Sequence, residues 1–110
     1  MQAYTITSGK DIASLERVTR QPRGLAPLEL RVRIKAVSLN YRDLMVARGE
    51  YLKGSGDPVI PASDAAGEVI EVGAGVTRFK VGDRVMGAFM PDWIDGEPTP
   101  ATVALAPGAA

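Results

Sequence analysis

Between residues 40 and 43 an amide, a phenol and a carboxylate stand almost side by side, in Asn40, Tyr41 and Asp43. A tyrosine hydroxyl can donate a proton in catalysis; the alternative for Tyr41 is a half-buried ring with its hydroxyl at the surface. Asn40 can cap a helix, line a cleft, or do both with one side chain. Asp43 falls in the first turn of that helix, where a carboxylate is favoured. It acts there either as a structural hydrogen-bond partner or as an acid or base.

Two further side chains, Asp64 and Trp93, are candidates for a substrate cleft. Asp64 can accept backbone amides at a turn or face the cleft, and Trp93 either anchors its loop or lines the cleft mouth. The chain has no cysteine and no histidine. Zinc sites are built largely from those two residue types, so we expect no zinc. A Ser-His-Asp or Cys-His nucleophilic site is excluded within this chain.

Composition and charge exclude several classes of partner. The 110 residues carry 13 basic and 13 acidic side chains. The formal net charge is therefore zero, and the chain has no overall positive charge to attract nucleic acid or an anionic membrane. No apolar run approaches the ~20 residues of a membrane helix, and the first residues lack the pattern of a signal peptide. We therefore expect a cytoplasmic protein without a nucleic-acid or membrane partner.

The elements that must position the candidate residues are mostly short strands. The sequence predicts one helix over 41–48, which begins after Asn40 and ends at Gly49. Strands are expected at 2–7, 13–19, 28–37, 66–72 and 83–89. This pattern is typical of a mainly β fold, a small and partly open barrel with one or two short helices. We place a domain at 1–90 and an irregular tail rich in proline and alanine at 91–110.

The clearest periodic pattern lies in the strand predicted at 28–37. Apolar and charged residues alternate there, which predicts one buried face and one solvated face. The expected buried face consists of Leu28, Leu30, Val32, Ile34 and Ala36. If the barrel is incomplete, strand edges and apolar surface stay uncovered, and the chain is expected to self-associate.

Gly73-Ala74-Gly75 invites comparison with a dinucleotide-binding loop, but the pattern does not fit. The fingerprint requires a third glycine three positions after the second, where this chain has Arg78. It also requires a helix to follow, whereas the next residues favour a strand-like stretch and a turn. We therefore interpret these glycines as a barrel turn, and we expect no Rossmann domain and no cofactor-binding residues in this chain.

Two stretches together resemble one known family. Residues 61–85, PASDAAGEVIEVGAGVTRFKVGDRV, look like the substrate-side domain of medium-chain dehydrogenases and reductases. Residues 36–51, AVSLNYRDLMVARGEY, are similar to its zinc-independent branch of quinone oxidoreductases and enoyl reductases. In the zinc-dependent branch, a cysteine ligand stands at the position of Asn40 and a histidine at that of Ser63. Where that family usually has glycine after Pro61, this chain has Ala62.

The resemblance implies a GroES-like barrel and hydride transfer between NADP(H) and a small carbonyl compound or an activated double bond. Asn40 and Tyr41 would contribute to the cleft, where a metal-free enzyme must polarise its substrate by hydrogen bonds. Members of the family carry a Rossmann domain after the barrel. We therefore expect this chain to be a fragment that is inactive alone. The alternatives are a stand-alone binding or assembly module, as in co-chaperonins, and a degenerate paralogue without function.

Overall fold

The computed structural model describes residues 1–51, 57–88 and 96–97. The predictions for Trp93 and for most of the segment 91–110 lie outside these residues. Five strands and one α-helix make up the described fold, so the predicted mainly β class is confirmed. In chain order the elements are β1 (Gln2–Thr5), a 3-10 turn (Ile12–Ser14), β2 (Glu16–Thr19), β3 (Leu30–Ser38), α1 (Tyr41–Arg48), β4 (Asp64–Val72) and β5 (Arg84–Met86).

The strands form two open antiparallel sheets in the described part of the chain. One is the hairpin of β1 and β2, and the other has the order β3-β4-β5. An isolated bridge between Ile6 and Val59 extends the line of β1 beyond the hairpin. None of the helices among the described residues has the length and apolar character needed to cross a membrane.

The second strand begins later than the predicted 13–19 because its first residues belong to the 3-10 turn. Asp11 caps that turn, accepting the N–H of Ile12 at 2.7 Å. The hydroxyl of Ser14 donates to the carbonyl of Asp11 at 2.7 Å and accepts the N–H of Thr7 at 3.0 Å. These local bonds compete with the strand ladder, which therefore starts only at Glu16.

The long strand β3 begins at Leu30, not at Leu28 as predicted. Leu28 adopts a left-handed φ of 66°, and its N–H donates to the carbonyl of Ala74 at 2.9 Å. The expected buried face is also only partly covered. Leu30 and Val32 are half-buried, but Ile34 is 53% exposed and Ala36 is exposed. Two register shifts against β4 interrupt the alternation, and no described element covers this end of β3.

The opposite face of the sheet carries a ladder of charges, as the alternation predicted. Arg31 forms an ion pair with Glu71 on β4. Arg33 lies opposite Glu68, and Glu68 in turn lies opposite Arg84 on β5. Cross-strand pairs of opposite charge stabilise an antiparallel sheet modestly.

A separate surface ion pair holds the turn before β3. Arg23 binds Glu29 through two hydrogen bonds of 2.7 and 2.6 Å. The N–H of Ala26 donates to the same carboxylate at 2.8 Å. These hydrogen bonds lower the pKa of Glu29 to about 2, and the bond from Arg23 has the larger effect and that from Ala26 the smaller.

Helix α1 covers the predicted residues and joins the two sheets. Gly49 ends it in the left-handed conformation, with φ 76°. Val46 and Ala47 are buried. The carbonyl of Ala47 accepts N–H bonds from Gly9 at 3.0 Å and from Asp11 at 2.8 Å. The C-terminal end of the helix is thus tied to the loop that follows β1.

Candidate functional site

The site begins with the two residues that start helix α1. Asn40 has extended backbone angles, φ −128° and ψ 157°, and forms a capping box with Asp43. The bond that defines it runs from the N–H of Asn40 to Oδ2 of Asp43, at 2.8 Å. Oδ1 of Asp43 is buried and has no hydrogen-bond partner among the described residues. Asp43 thus accepts a hydrogen bond at the start of the helix, which is the geometry of a structural hydrogen-bond partner.

The amide of Asn40 reaches across to the next strand. Its Nδ2 donates to Oδ2 of Asp64 at 2.6 Å, although the two residues are 24 positions apart. Ser38, the last residue of β3, lies directly opposite Asp64, the first residue of β4. Because the ladder fixes this register, the two sequence motifs meet at one corner of the sheet. Both Asn40 and Asp64 are half-buried.

The structure adds Ser38, which the sequence interpretation missed. Its Oγ lies 3.5 Å from Oδ1 of Asn40. A serine at a strand end has no distinctive signature. The available signal was its spacing of two from Asn40, since alternate residues of an extended segment point to the same side.

A cavity of about 320 Å³ opens beside this corner. Among the described residues that line it, Ser38 and Asp64 have polar side chains, and the others contribute apolar side chains or backbone. The lining residues are Ala36, Val37, Ser38, Asp64, Ala65, Ala66, Met86 and Gly87. An apolar pocket with a few convergent polar groups is the usual form of a small-molecule site.

Tyr41 does not share this cavity. Its side chain is 68% exposed, so the expectation of a half-buried ring is wrong. It stands at the first position of helix α1. Of the candidate residues, the structure brings together Asn40, Asp43 and Asp64, leaves Tyr41 outside the cavity, and does not describe Trp93.

The glycines at 73–75 form a turn, as predicted. Gly75 has φ 80°, and the N–H of Val76 donates back to the carbonyl of Gly73 at 3.4 Å. A Cβ on Gly73 would lie 2.4 Å from the carbonyl oxygen of Ala26, so this glycine is required by the close backbone. No helix follows between residues 76 and 88. The turn therefore differs from the dinucleotide-binding fingerprint, in which a helix begins directly after the glycines.

Metal ligands are likewise sparse in the part of the chain that the structure describes. It contains no group of three or more His, Cys, Asp or Glu side chains placed to hold an ion. The two carboxylates nearest the cavity, Asp43 and Asp64, each accept a hydrogen bond from Asn40.

Comparisons with known proteins give a consistent picture. A family model described as the alcohol dehydrogenase GroES-like domain matches residues 26–102. The chain is 47% identical over 77 residues to a quinone oxidoreductase of Pseudomonas aeruginosa, which covers 70% of this chain and 23% of that protein. It is 45% identical over 78 residues to the zinc-type alcohol dehydrogenase-like protein C1773.06c of Schizosaccharomyces pombe, covering 71% and 22%.

Solved structures agree with these sequence matches. The quinone oxidoreductase of Escherichia coli, complexed with NADPH, superposes with a TM-score of 0.71 at 30% identity. The match covers 78% of this chain and 26% of that one. The chain thus spans about a quarter of the length of the relatives it resembles.

Proposed function

Because the chain belongs to the family of alcohol dehydrogenase GroES-like domains, we propose that it forms the substrate-side domain of a zinc-independent, NADP(H)-dependent reductase. The proposed substrates are carbonyl compounds, such as quinones, or compounds with an activated double bond. The match confirms the family resemblance predicted from residues 36–51 and 61–85. The proposal goes further in naming the reaction branch and the cofactor.

One observation carries the proposal: the 2.6 Å bond between Asn40 and Asp64 at the edge of an apolar cavity. In a metal-free site, hydrogen bonds must bind and polarise the reacting oxygen. Asn40 holds the Asp64 carboxylate in place, and Asp43 holds the backbone of Asn40. The apolar side chains of the lining give a bound ring a surface to pack against.

The cofactor would supply the hydride, and under this proposal its binding site lies outside the described residues. NADP(H) is proposed because the Escherichia coli relative was solved with NADPH. Since Gly73-Ala74-Gly75 is a turn without a following helix, the cofactor would bind residues outside this chain. Under this proposal the 110 residues alone neither bind NADP(H) nor turn over substrate.

The test compares two proteins. One is the 110-residue chain, and the other is the same chain joined to the remaining part of the Pseudomonas aeruginosa quinone oxidoreductase. We expect NADPH oxidation coupled to quinone reduction only in the joined protein. In isolation, the chain should bind NADPH with a Kd weaker than ~100 μM, equivalent to about 5.5 kcal/mol. Tighter binding or turnover by the bare chain would contradict the proposal.

A substitution in the joined protein tests the site itself. Asn40→Ser keeps a residue that can cap helix α1 but is too short to reach Asp64. We expect kcat/KM to fall at least about tenfold, or ~1.4 kcal/mol. Gln2→Ser shortens an amide on β1, away from the cavity, and serves as the control. Equal kcat/KM values of the two variants would contradict a role for Asn40 in the site.

A further inference from the structure

We infer that the cavity at the Asn40–Asp64 corner selects uncharged ligands that present an oxygen atom to Ser38, and that it rejects anionic ones. The inference rests on the proposed function, because it assumes that this cavity receives the substrate. It adds the charge class of the substrate and a residue, Ser38, that contacts it.

The charge of the cavity wall supports this selection. Among the described residues, Asp64 is the one formally charged residue that lines the cavity, and none of the lining residues is Lys or Arg. The described bond of its carboxylate comes from a neutral amide, that of Asn40. A carboxylate, sulfonate or phosphate on a ligand would meet this negative charge without a compensating cation from the described lining. At 4 Å, like charges repel by about 1 kcal/mol even in bulk water and by more near a protein surface.

The orientation of the Asn40 amide adds to this effect. Because Nδ2 points at Asp64, Oδ1 is the atom nearest Ser38. Among the described residues that line the cavity, Asp64 therefore presents a carboxylate acceptor, and the Asn40 carbonyl oxygen lies beside Ser38 without being part of the lining. The hydroxyl of Ser38 supplies the donor.

The hydroxyl of Ser38 donates to the Asn40 carbonyl oxygen only over a long distance, so a ligand can compete for it. Its Oγ lies 3.5 Å from Oδ1 of Asn40, whereas a good O–H···O bond measures about 2.7–2.8 Å. A ligand oxygen placed beside Ser38 would offer a shorter bond. A carbonyl can accept from Ser38, and the hydroxyl of the reduced product can donate to Asp64. These two groups thus fit both forms of a neutral carbonyl–hydroxyl couple.

The experiment uses the full 110-residue chain and two probes with the same ring, 1,4-naphthoquinone and 1,4-naphthoquinone-2-sulfonate. Because the chain has no cysteine, quinone addition to a thiolate cannot interfere. Affinities are measured from backbone amide shifts in NMR titrations. We expect the neutral probe to bind at least about tenfold more tightly, or ~1.4 kcal/mol, with the largest shifts at Ser38, Asp64 and Ala65.

Three variants identify the groups responsible. Asp64→Asn keeps an oxygen for the Asn40 amide but removes the charge, and it should bring the two affinities to within about threefold. Glu68→Gln removes one negative charge from the same strand outside the cavity, and it should leave the tenfold preference intact. Ser38→Ala should weaken the neutral probe about fivefold, the value of one ordinary hydrogen bond.

The possible failures can be told apart. Equal affinities of the two probes, with shifts at these residues, would overturn the charge selection and leave the proposed function standing. An equal loss of preference in Glu68→Gln and Asp64→Asn would also overturn it, because the effect would then come from net charge. A dispersed spectrum in which neither probe shifts the cavity residues would refute the substrate site and the inference together.

Discussion

Replacing Ala62 by glycine should stabilise this protein, although most alanine-to-glycine changes destabilise. Ala62 lies two residues before β4 with φ 74°, in the left-handed region where a Cβ crowds the following carbonyl oxygen. The side chain is a single methyl group on a half-buried residue, so its removal leaves little cavity.

The magnitude follows from two opposing terms. Relief of the left-handed conformation is worth about 1–2 kcal/mol for an L-residue. The extra chain entropy of glycine in the unfolded state costs about 0.5–1 kcal/mol. The midpoints of the two ranges favour the glycine variant by roughly 0.75 kcal/mol, which corresponds to a rise in Tm of about 3–6 °C for a domain of this size.

Thermal melts followed by circular dichroism measure this difference, with urea unfolding as a second determination. Ala66→Gly is the matched control, because it removes the same methyl group from an exposed position inside β4, where φ is not positive. That variant should lose about 0.5–1 kcal/mol. If both variants lose stability equally, the left-handed backbone at Ala62 stores no strain and the reasoning is refuted.

Three other predictions follow from particular contacts. Gly67→Ala should destabilise the fold by about 1–3 kcal/mol or more, because the new Cβ would lie 2.1 Å from the carbonyl oxygen of Arg33. Urea unfolding measures this loss. The control is Gly24→Ala, whose Cβ would meet nothing within 4 Å and which should be close to neutral. Arg23 lowers the pKa of Glu29 from its ordinary value of 4.5 to about 2. This pair therefore stabilises the folded state above pH ~4.5 and loses that effect as the pH falls toward 2. Melts at low salt should show this slope in the natural chain and a shallower one in Glu29→Gln, and identical slopes would contradict the assignment. The exposed edge and face of β3 predict concentration-dependent self-association, which light scattering will detect; a monodisperse monomer that melts cooperatively above ~65 °C would contradict it.

Local signals predicted the helix well and the ends of strands less well. The N-cap at Asn40, the first-turn carboxylate of Asp43 and the left-handed Gly49 act within a few residues, so they define α1 without tertiary information. Leu28 continues the alternation of β3 in the sequence but stands in a turn, because its N–H bonds to Ala74, 46 residues away. A pattern that covers ten residues cannot contain that contact.

The candidate site was predictable only in part, for the same physical reason. The family motifs pointed to Asn40 and Asp64 separately, and both contribute to the corner beside the cavity. Their direct bond depends on the pairing of Ser38 with Asp64, which two register shifts between β3 and β4 determine. Neither shift has a local sequence signature, so the sequence could not show that Ser38 belongs with them. The predicted roles of Tyr41 and Trp93 remain predictions.

Helix α1 links the orientation of the Asn40 side chain to a loop at the other end of the helix, the one that follows β1. At about 1.5 Å per residue, its eight residues form a rod about 12 Å long. One end holds Asn40 against Asp64, and the carbonyl of Ala47 near the other end is held by Gly9 and Asp11. A change in the loop after β1 would tilt the rod and turn the Asn40 amide, without altering any residue that lines the cavity. Variation in that loop thus gives evolution a remote means of adjusting specificity while the chemical groups stay the same.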